Sequence, residues 1–179
     1  PKVTGDLNDG GLGFTMKWNM GWMNDFLDYM QYDPYFRAYH HNDLTFSMVY
    51  AYSEKFMLVL SHDEVVHGKA SMLSKMPGEE ADKFANLRAG YGYMMTHPGK
   101  KLLFMGQDIA EYDEWNEERG VEWELLKYDH HEQMRRFVKR LNELYRKNPA
   151  LYAEDDSWDG FEWIDCIDAN ECTLSYLRK

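Results

Sequence analysis

Apolar and polar positions alternate along residues 12–18, where Leu12, Phe14, Met16 and Trp18 flank Gly13, Thr15 and Lys17. A period of two predicts a half-buried strand. Over residues 22–32 the period changes. Trp22, Met23, Phe26, Leu27 and Met30 recur at helical spacing and Pro34 follows, which predicts a helix and its stop. Residues 43–52 fit both periods. Leu44, Met48, Ala51 and Tyr52 suit a helix capped by Asn42, while Leu44, Phe46, Met48, Tyr50 and Tyr52 suit a strand. Periodicity alone leaves the two open.

Phe56-Met57-Leu58-Val59-Leu60 is a continuous apolar run, as in a parallel strand covered on both faces. It ends in four polar residues, Ser61-His62-Asp63-Glu64. A helix is predicted over about 80–95, with Phe84, Leu87, Tyr91, Met94 and Met95 on one face and His97-Pro98-Gly99 as its stop. A second buried strand, Leu102–Met105, runs into Gly106-Gln107-Asp108. The segment 107–124 reads as an acidic loop, and residues 130–147 as a helix striped by Met134, Phe137, Val138, Leu141, Leu144 and Tyr145. Asp129 and Glu132 have the spacing of a capping box at its start. Residues 154–160 are turn-rich and mark a domain boundary; short strands at Phe161–Ile164 and Thr173–Leu177 follow. The fold class is therefore α/β, with βα units of a parallel sheet or barrel followed by β structure. Neither an internal repeat nor a low-complexity tract interrupts the pattern.

Composition narrows the function classes. The chain has 179 residues, enough for one domain of ordinary size. No apolar run reaches the ~18 residues of a membrane span, and the first residues lack the basic-then-apolar order of a secretory leader. Lys and Arg number 20 against 31 Asp and Glu, a formal charge of −11. That balance argues against phosphate backbones as partners and for a neutral molecule or polymer. Aromatic residues reach 16%; they build a core, and some are candidates for platforms under flat ligand faces such as sugars. Cys166 and Cys172 are too few for a disulfide framework and read as free, buried thiols of a reducing, cytoplasmic compartment. The terminal strand pattern ends without a partner strand after it, so the chain is expected to be cut from something longer.

Polar residues after a buried parallel strand lie where α/β folds place active sites. His62, Asp63 and Glu64 are thus the first candidates: a carboxylate here can hold a substrate hydroxyl or stabilise a cationic transition state. The alternative is that Asp63 caps the next turn and His62 is partly buried. His62 and His67 lie five apart, one residue off the His spacing of a helical zinc site, so no metal is expected. No dinucleotide fingerprint, P-loop or nucleophile elbow is present, and no cofactor is expected.

Leu60-Ser61-His62-Asp63-Glu64-Val65-Val66-His67-Gly68-Lys69 closely resembles a stretch of the glycogen (1,4-α-glucan) branching enzymes of the α-amylase superfamily. Further agreement lies in Gly11–Phe14, Lys17–Met23, Lys75–Gly78, Lys83–Arg88, His97–Gly106, Glu114–Asn116 and Gly160–Asp165. The resemblance implies that residues of about 12–18, 56–62 and 101–106 are strands six to eight of a (β/α)8 TIM barrel. Residues 1–155 would belong to the catalytic domain, residues 156–179 would begin a C-terminal all-β domain, and residues 43–52 would be helical. Such enzymes cleave an α-1,4 bond and pass the freed segment to a 6-hydroxyl, with retention through a covalent glycosyl-enzyme. The resemblance places the nucleophile and general acid on strands upstream of Pro1. It assigns Asp63 as the third, transition-state-stabilising carboxylate and His62 as a sugar ligand. Trp18 and Trp115 are further substrate-binding candidates on the catalytic face. The implied partner is α-glucan, not nucleic acid or membrane. Gly106-Gln107-Asp108-Ile109-Ala110-Glu111 departs from the usual Gly-Asn-Glu-Phe-Gly-Gln-like run, which leaves chain-length preference open. Alternatives are another enzyme of the same superfamily, hydrolytic or transferring, and a non-catalytic glucan-binding piece.

Overall fold

The computed structural model describes all residues, 1–179. Three strands, β1 (Lys17–Trp18), β2 (Phe56–Leu60) and β3 (Lys100–Leu103), form a parallel sheet in that order. Helix α1 (Met20–Gln31) connects β1 towards β2, with short helical segments including α2 (Asn42–Thr45) after it. The connection from β2 to β3 holds α3 (Met72–Lys75) and α4 (Glu80–Thr96), and α5 (Asp129–Lys147) follows β3. An antiparallel hairpin of β4 (Phe161–Asp165) and β5 (Ser175–Arg178) ends the chain. The order is that of successive βα units. No helix is long and apolar enough to cross a membrane.

The core lies between the sheet and the helices. Leu58, Val59 and Leu60 are fully buried, as the unbroken apolar run predicts. Against them pack Trp22, Phe26 and Met30 of α1 and Phe84, Leu87, Tyr91 and Met94 of α4, residues spaced at helical intervals. Trp22 stacks on Phe26 with ring centroids 4.8 Å apart. Asn19 caps α1, its side chain accepting from the Trp22 N–H at 2.9 Å.

The 43–52 segment is helical as far as Val49 and then turns: α2 runs into a 3-10 segment, Phe46–Val49, and residues 50–52 form a turn. Leu44, Ser47 and Met48 are buried, an i, i+3, i+4 set that a helix turns to one side, and Ala51 is buried in the turn that follows. Met48 and Ala51 pack on Phe161, which seats the terminal hairpin against this segment.

Four local expectations need correction. The second strand, expected buried over Leu102–Met105, runs over Lys100–Leu103, is half-buried at every position because no strand covers its outer edge, and leaves Met105 about half exposed beyond its end. The strand over 12–18 is paired in the sheet only at Lys17 and Trp18. Leu12, Gly13 and Phe14 instead donate backbone bonds to Lys2, Gly5 and Val3, so a local loop takes the amides that a strand would have used. The capping box at Asp129 and Glu132 does not form. Glu132 is held by Arg135 at 2.7 Å and Arg136 at 2.8 Å, charge-assisted contacts that outcompete a backbone amide. The capping box lies at the start of α4, between Glu79 and Asp82. Cys166 and Cys172 are free but only half-buried.

Candidate functional site

In parallel βα units the strand ends and their following loops share one rim, so residues distant in sequence meet there. β2 ends at Leu60 and passes through buried Ser61 into a single turn, His62–Glu64. β3 ends at Leu103, level with Leu60 in register, and the Phe104 N–H still donates to the Leu60 carbonyl at 3.1 Å. Gly106 then reverses the chain with φ 82°; a Cβ there would meet the Glu111 carboxylate at 2.1 Å. Glycine at that position lets the 107–122 loop fold back over the strand ends.

The Asp63 carboxylate lies 3.0 Å from His62 Nε2, and both side chains are about half exposed. Asp63 caps no turn; its one polar partner is His62, which leaves oxygen lone pairs facing solvent. The His62 ring is wedged between Phe104 and Trp115, with centroids 5.8 Å from each, and Trp115 stands edge-on to Phe104 at 5.3 Å. One face of the imidazole is fixed by aromatic packing while its nitrogen reaches Asp63. The Trp115 indole N–H is buried without a hydrogen-bond partner, so packing alone places this ring.

The structure therefore brings three of the four sequence-predicted residues together: His62, Asp63 and Trp115. Trp18 stands apart. It is paired opposite Met57, three residues, about 10 Å, before β2 ends, and is 42% exposed.

Glu114, in the Glu114–Asn116 stretch, carries no local signal of a role, yet it links the two loops. Its carboxylate accepts from the Gly68 N–H at 3.0 Å and the Ala70 N–H at 2.7 Å. Those bonds hold its pKa below the ordinary carboxylate value. The adjacent Trp115 backbone N–H donates to the Val65 carbonyl at 2.8 Å. No spacing rule could have revealed a contact across more than forty residues. Beneath the rim, the Tyr91 hydroxyl donates to the Gln107 carbonyl at 2.9 Å. The buried His131 of α5 donates through Nδ1 to the Ile109 carbonyl at 2.8 Å. Both anchor the loop after β3 to the helical layer. No group of three or more His, Cys, Asp or Glu side chains is arranged to hold a metal.

A half-exposed carboxylate beside an oriented imidazole, backed by aromatic rings, can bind vicinal hydroxyls and stabilise positive charge nearby.

No family model matches the chain. It is 56% identical over 179 residues to the 1,4-alpha-glucan branching enzyme GlgB of Synechococcus elongatus, covering 100% of this chain and 23% of that protein. It is 60% identical over 178 residues to the enzyme of the same name from Thermobifida fusca, covering 99% of this chain and 24% of that protein. Identity to the Rhodopirellula baltica enzyme is 57% over 179 residues, again 24% of its length. From end to end the chain matches one segment of the 1,4-alpha-glucan branching enzymes, a segment spanning about 23–24% of their length.

Proposed function

We propose that residues 1–179 are the part of a branching enzyme that supplies one wall of its active site. In this reading β1, β2 and β3 are strands six, seven and eight of a (β/α)8 barrel. Residues 1–155 are catalytic-domain sequence, and residues 156–179 open a C-terminal β domain. The whole protein cleaves an α-1,4-glucosidic bond and transfers the freed segment to a 6-hydroxyl of α-glucan. It works in the cytoplasm and needs no cofactor.

The observation that carries the reading is end-to-end identity of 55–60% to branching enzymes, together with the position of His62-Asp63 directly after the central strand. Retaining glycoside chemistry needs a nucleophilic carboxylate, an acid and a transition state rich in oxocarbenium character. Asp63 is the stabiliser of that state. Its free oxygens accept ring hydroxyls, and these bonds strengthen as positive charge grows on the sugar, so they lower the barrier more than they tighten ground-state binding. His62 holds a hydroxyl of the same sugar, with Phe104 and Trp115 fixing the imidazole plane. Trp18 is a more remote platform for the glucan chain. The nucleophile and acid come from strands outside these residues, so the segment alone is inactive.

The test is a full-length polypeptide in which residues 1–179 replace the matching segment of the Thermobifida fusca enzyme. It is expected to lower amylose–iodine absorbance without releasing reducing sugar in proportion. Proportional release would assign hydrolysis instead.

A further inference from the structure

We propose that Glu114 is a positioning residue of the site, setting Asp63 through the backbone of the loop that carries it; this rests on the reading above. Asp63 has one polar partner of its own, His62, on the same turn. Nothing on its side chain therefore fixes its height above the sheet, and the course of the 62–70 backbone must do so. That backbone is gripped from the neighbouring loop by two consecutive residues. The Trp115 backbone N–H donates to the Val65 carbonyl at 2.8 Å. The two oxygens of Glu114 take the Gly68 and Ala70 amides at 3.0 and 2.7 Å.

The gripped segment is one that would not hold its shape unaided. Gly68 has φ 81° and Ala70 has φ 63°. Alanine seldom adopts a left-handed backbone, and does so where surrounding contacts over-determine it. A carboxylate with two acceptor oxygens is the group that can satisfy two diverging N–H donors at once; an amide has one acceptor oxygen and would turn a donor towards the second. The charge of Glu114 is thus needed for its geometry. The Val65 N–H donates to the His62 carbonyl at 2.9 Å, which passes the restraint back to the turn holding Asp63.

The test compares wild type, Glu114→Gln and Glu114→Asp in the full-length polypeptide described above, with amylose as substrate. The contact acts on a residue that works in the transition state, so a small displacement should lower kcat rather than weaken binding. Glu114→Gln is expected to lower kcat about tenfold to a hundredfold, with KM within about twofold and the melting temperature little changed. Amide exchange over 65–70 should accelerate. Glu114→Asp, which keeps both oxygens on a shorter arm, is expected to recover part of the loss. An unchanged kcat in Glu114→Gln, or a fall that merely follows loss of folded protein, would overturn the positioning role. If wild type proved to hydrolyse rather than branch, the proposed reaction would fail, and the same comparison on the hydrolytic kcat would still decide for or against Glu114.

Discussion

Asp63 is the residue on which the functional account turns, and its environment makes the account testable one atom at a time. Asp63→Asn keeps the size and removes the charge. In the full-length polypeptide this change is expected to reduce branching about 10²–10³-fold, the scale for losing one preorganised electrostatic contact, while glucan binding persists; activity within a few-fold of wild type would contradict it. The two tryptophans divide by environment. Trp115 is packed against His62 and Phe104, so Trp115→Ala is expected to cost about 2 kcal/mol in a denaturant titration, part of the full cost of emptying a core aromatic site, and to lower kcat through His62. Trp18 is 42% exposed, and Trp18→Ala is expected to raise KM for long glucans with stability within about 0.5 kcal/mol. Equal KM values for long glucans in wild type and Trp18→Ala would leave Trp18 a packing residue. At this scale the sequence made His62, Asp63 and Trp115 visible because strand ends and motif matches are local. It hid Glu114, whose partners lie on another loop, and the register that separates Trp18 from the cluster.

Elements pack according to their apolar spacing wherever that spacing is unambiguous, and β2, α1, α4 and α5 all follow it. Polar groups with competing partners override the local pattern: Glu132 turns to Arg135 and Arg136, and the amides of residues 12–14 turn to residues 2–5. The joins between elements are polar and buried, and they make the fold sensitive to acid. His97 follows α4, 3% exposed. It donates through Nδ1 to the Pro98 carbonyl and accepts at Nε2 from the Ser47 hydroxyl, each at 2.8 Å, which tethers the 46–49 segment to the start of β3. Burial pushes its pKa down to about 3. In an unfolded chain the value is ~6.5. The full contribution is present above pH ~6.5, and as pH falls from there towards 3 the unfolded chain binds a proton that the folded one refuses. Stability should fall by up to about 1.4 kcal/mol per pH unit across that window. Melting temperatures at pH 7 and pH 5 are expected to differ less in His97→Gln than in wild type; equal differences would exclude His97 as the cause. The terminal hairpin is tied by Asp155, which bonds Lys100 at 2.9 Å and Arg178 at 2.7 Å. Burial raises the Asp155 pKa, but the two cations outweigh it and hold the carboxyl below its usual range. Removing it leaves the Arg178 side chain, 4% exposed, buried without a counter-charge. Asp155→Ala is expected to lower the opening free energy of the hairpin by about 3 kcal/mol, read as roughly hundredfold faster amide exchange in β4 and β5. Unchanged exchange would show that Phe161 packing alone holds it.

The whole molecule has a sheet with two open flanks, since β1 and β3 each lack an outer neighbour. Beside β3 runs a mixed cleft of about 760 Å³, apolar at Leu103, Phe104, Met105, Trp123 and Val138 and charged along the α5 side at Arg135, Lys139 and Glu143, and Leu12, Phe14 and Met105 are about half exposed. An unpaired strand edge is a template for association that lysines such as Lys17, Lys100 and Lys101 only partly blunt, and the proposed barrel would cover both flanks with further strands. Expressed alone, residues 1–179 are expected to bind an apolar-surface dye strongly or to aggregate, and to leave amylose unchanged. The parallel order of β1, β2 and β3 was legible as alternating strand and helix patterns. The two open edges follow from the same order, since a three-stranded sheet leaves both outer strands unpaired. The most direct measurement is amylose–iodine absorbance together with reducing-sugar release, made on the folded, cooperatively melting full-length polypeptide carrying residues 1–179 and on its Asp63→Asn variant. The account predicts that absorbance falls in the first without proportional reducing sugar and stays constant in the second. Proportional reducing sugar in the first, or equal branching by both, would contradict it.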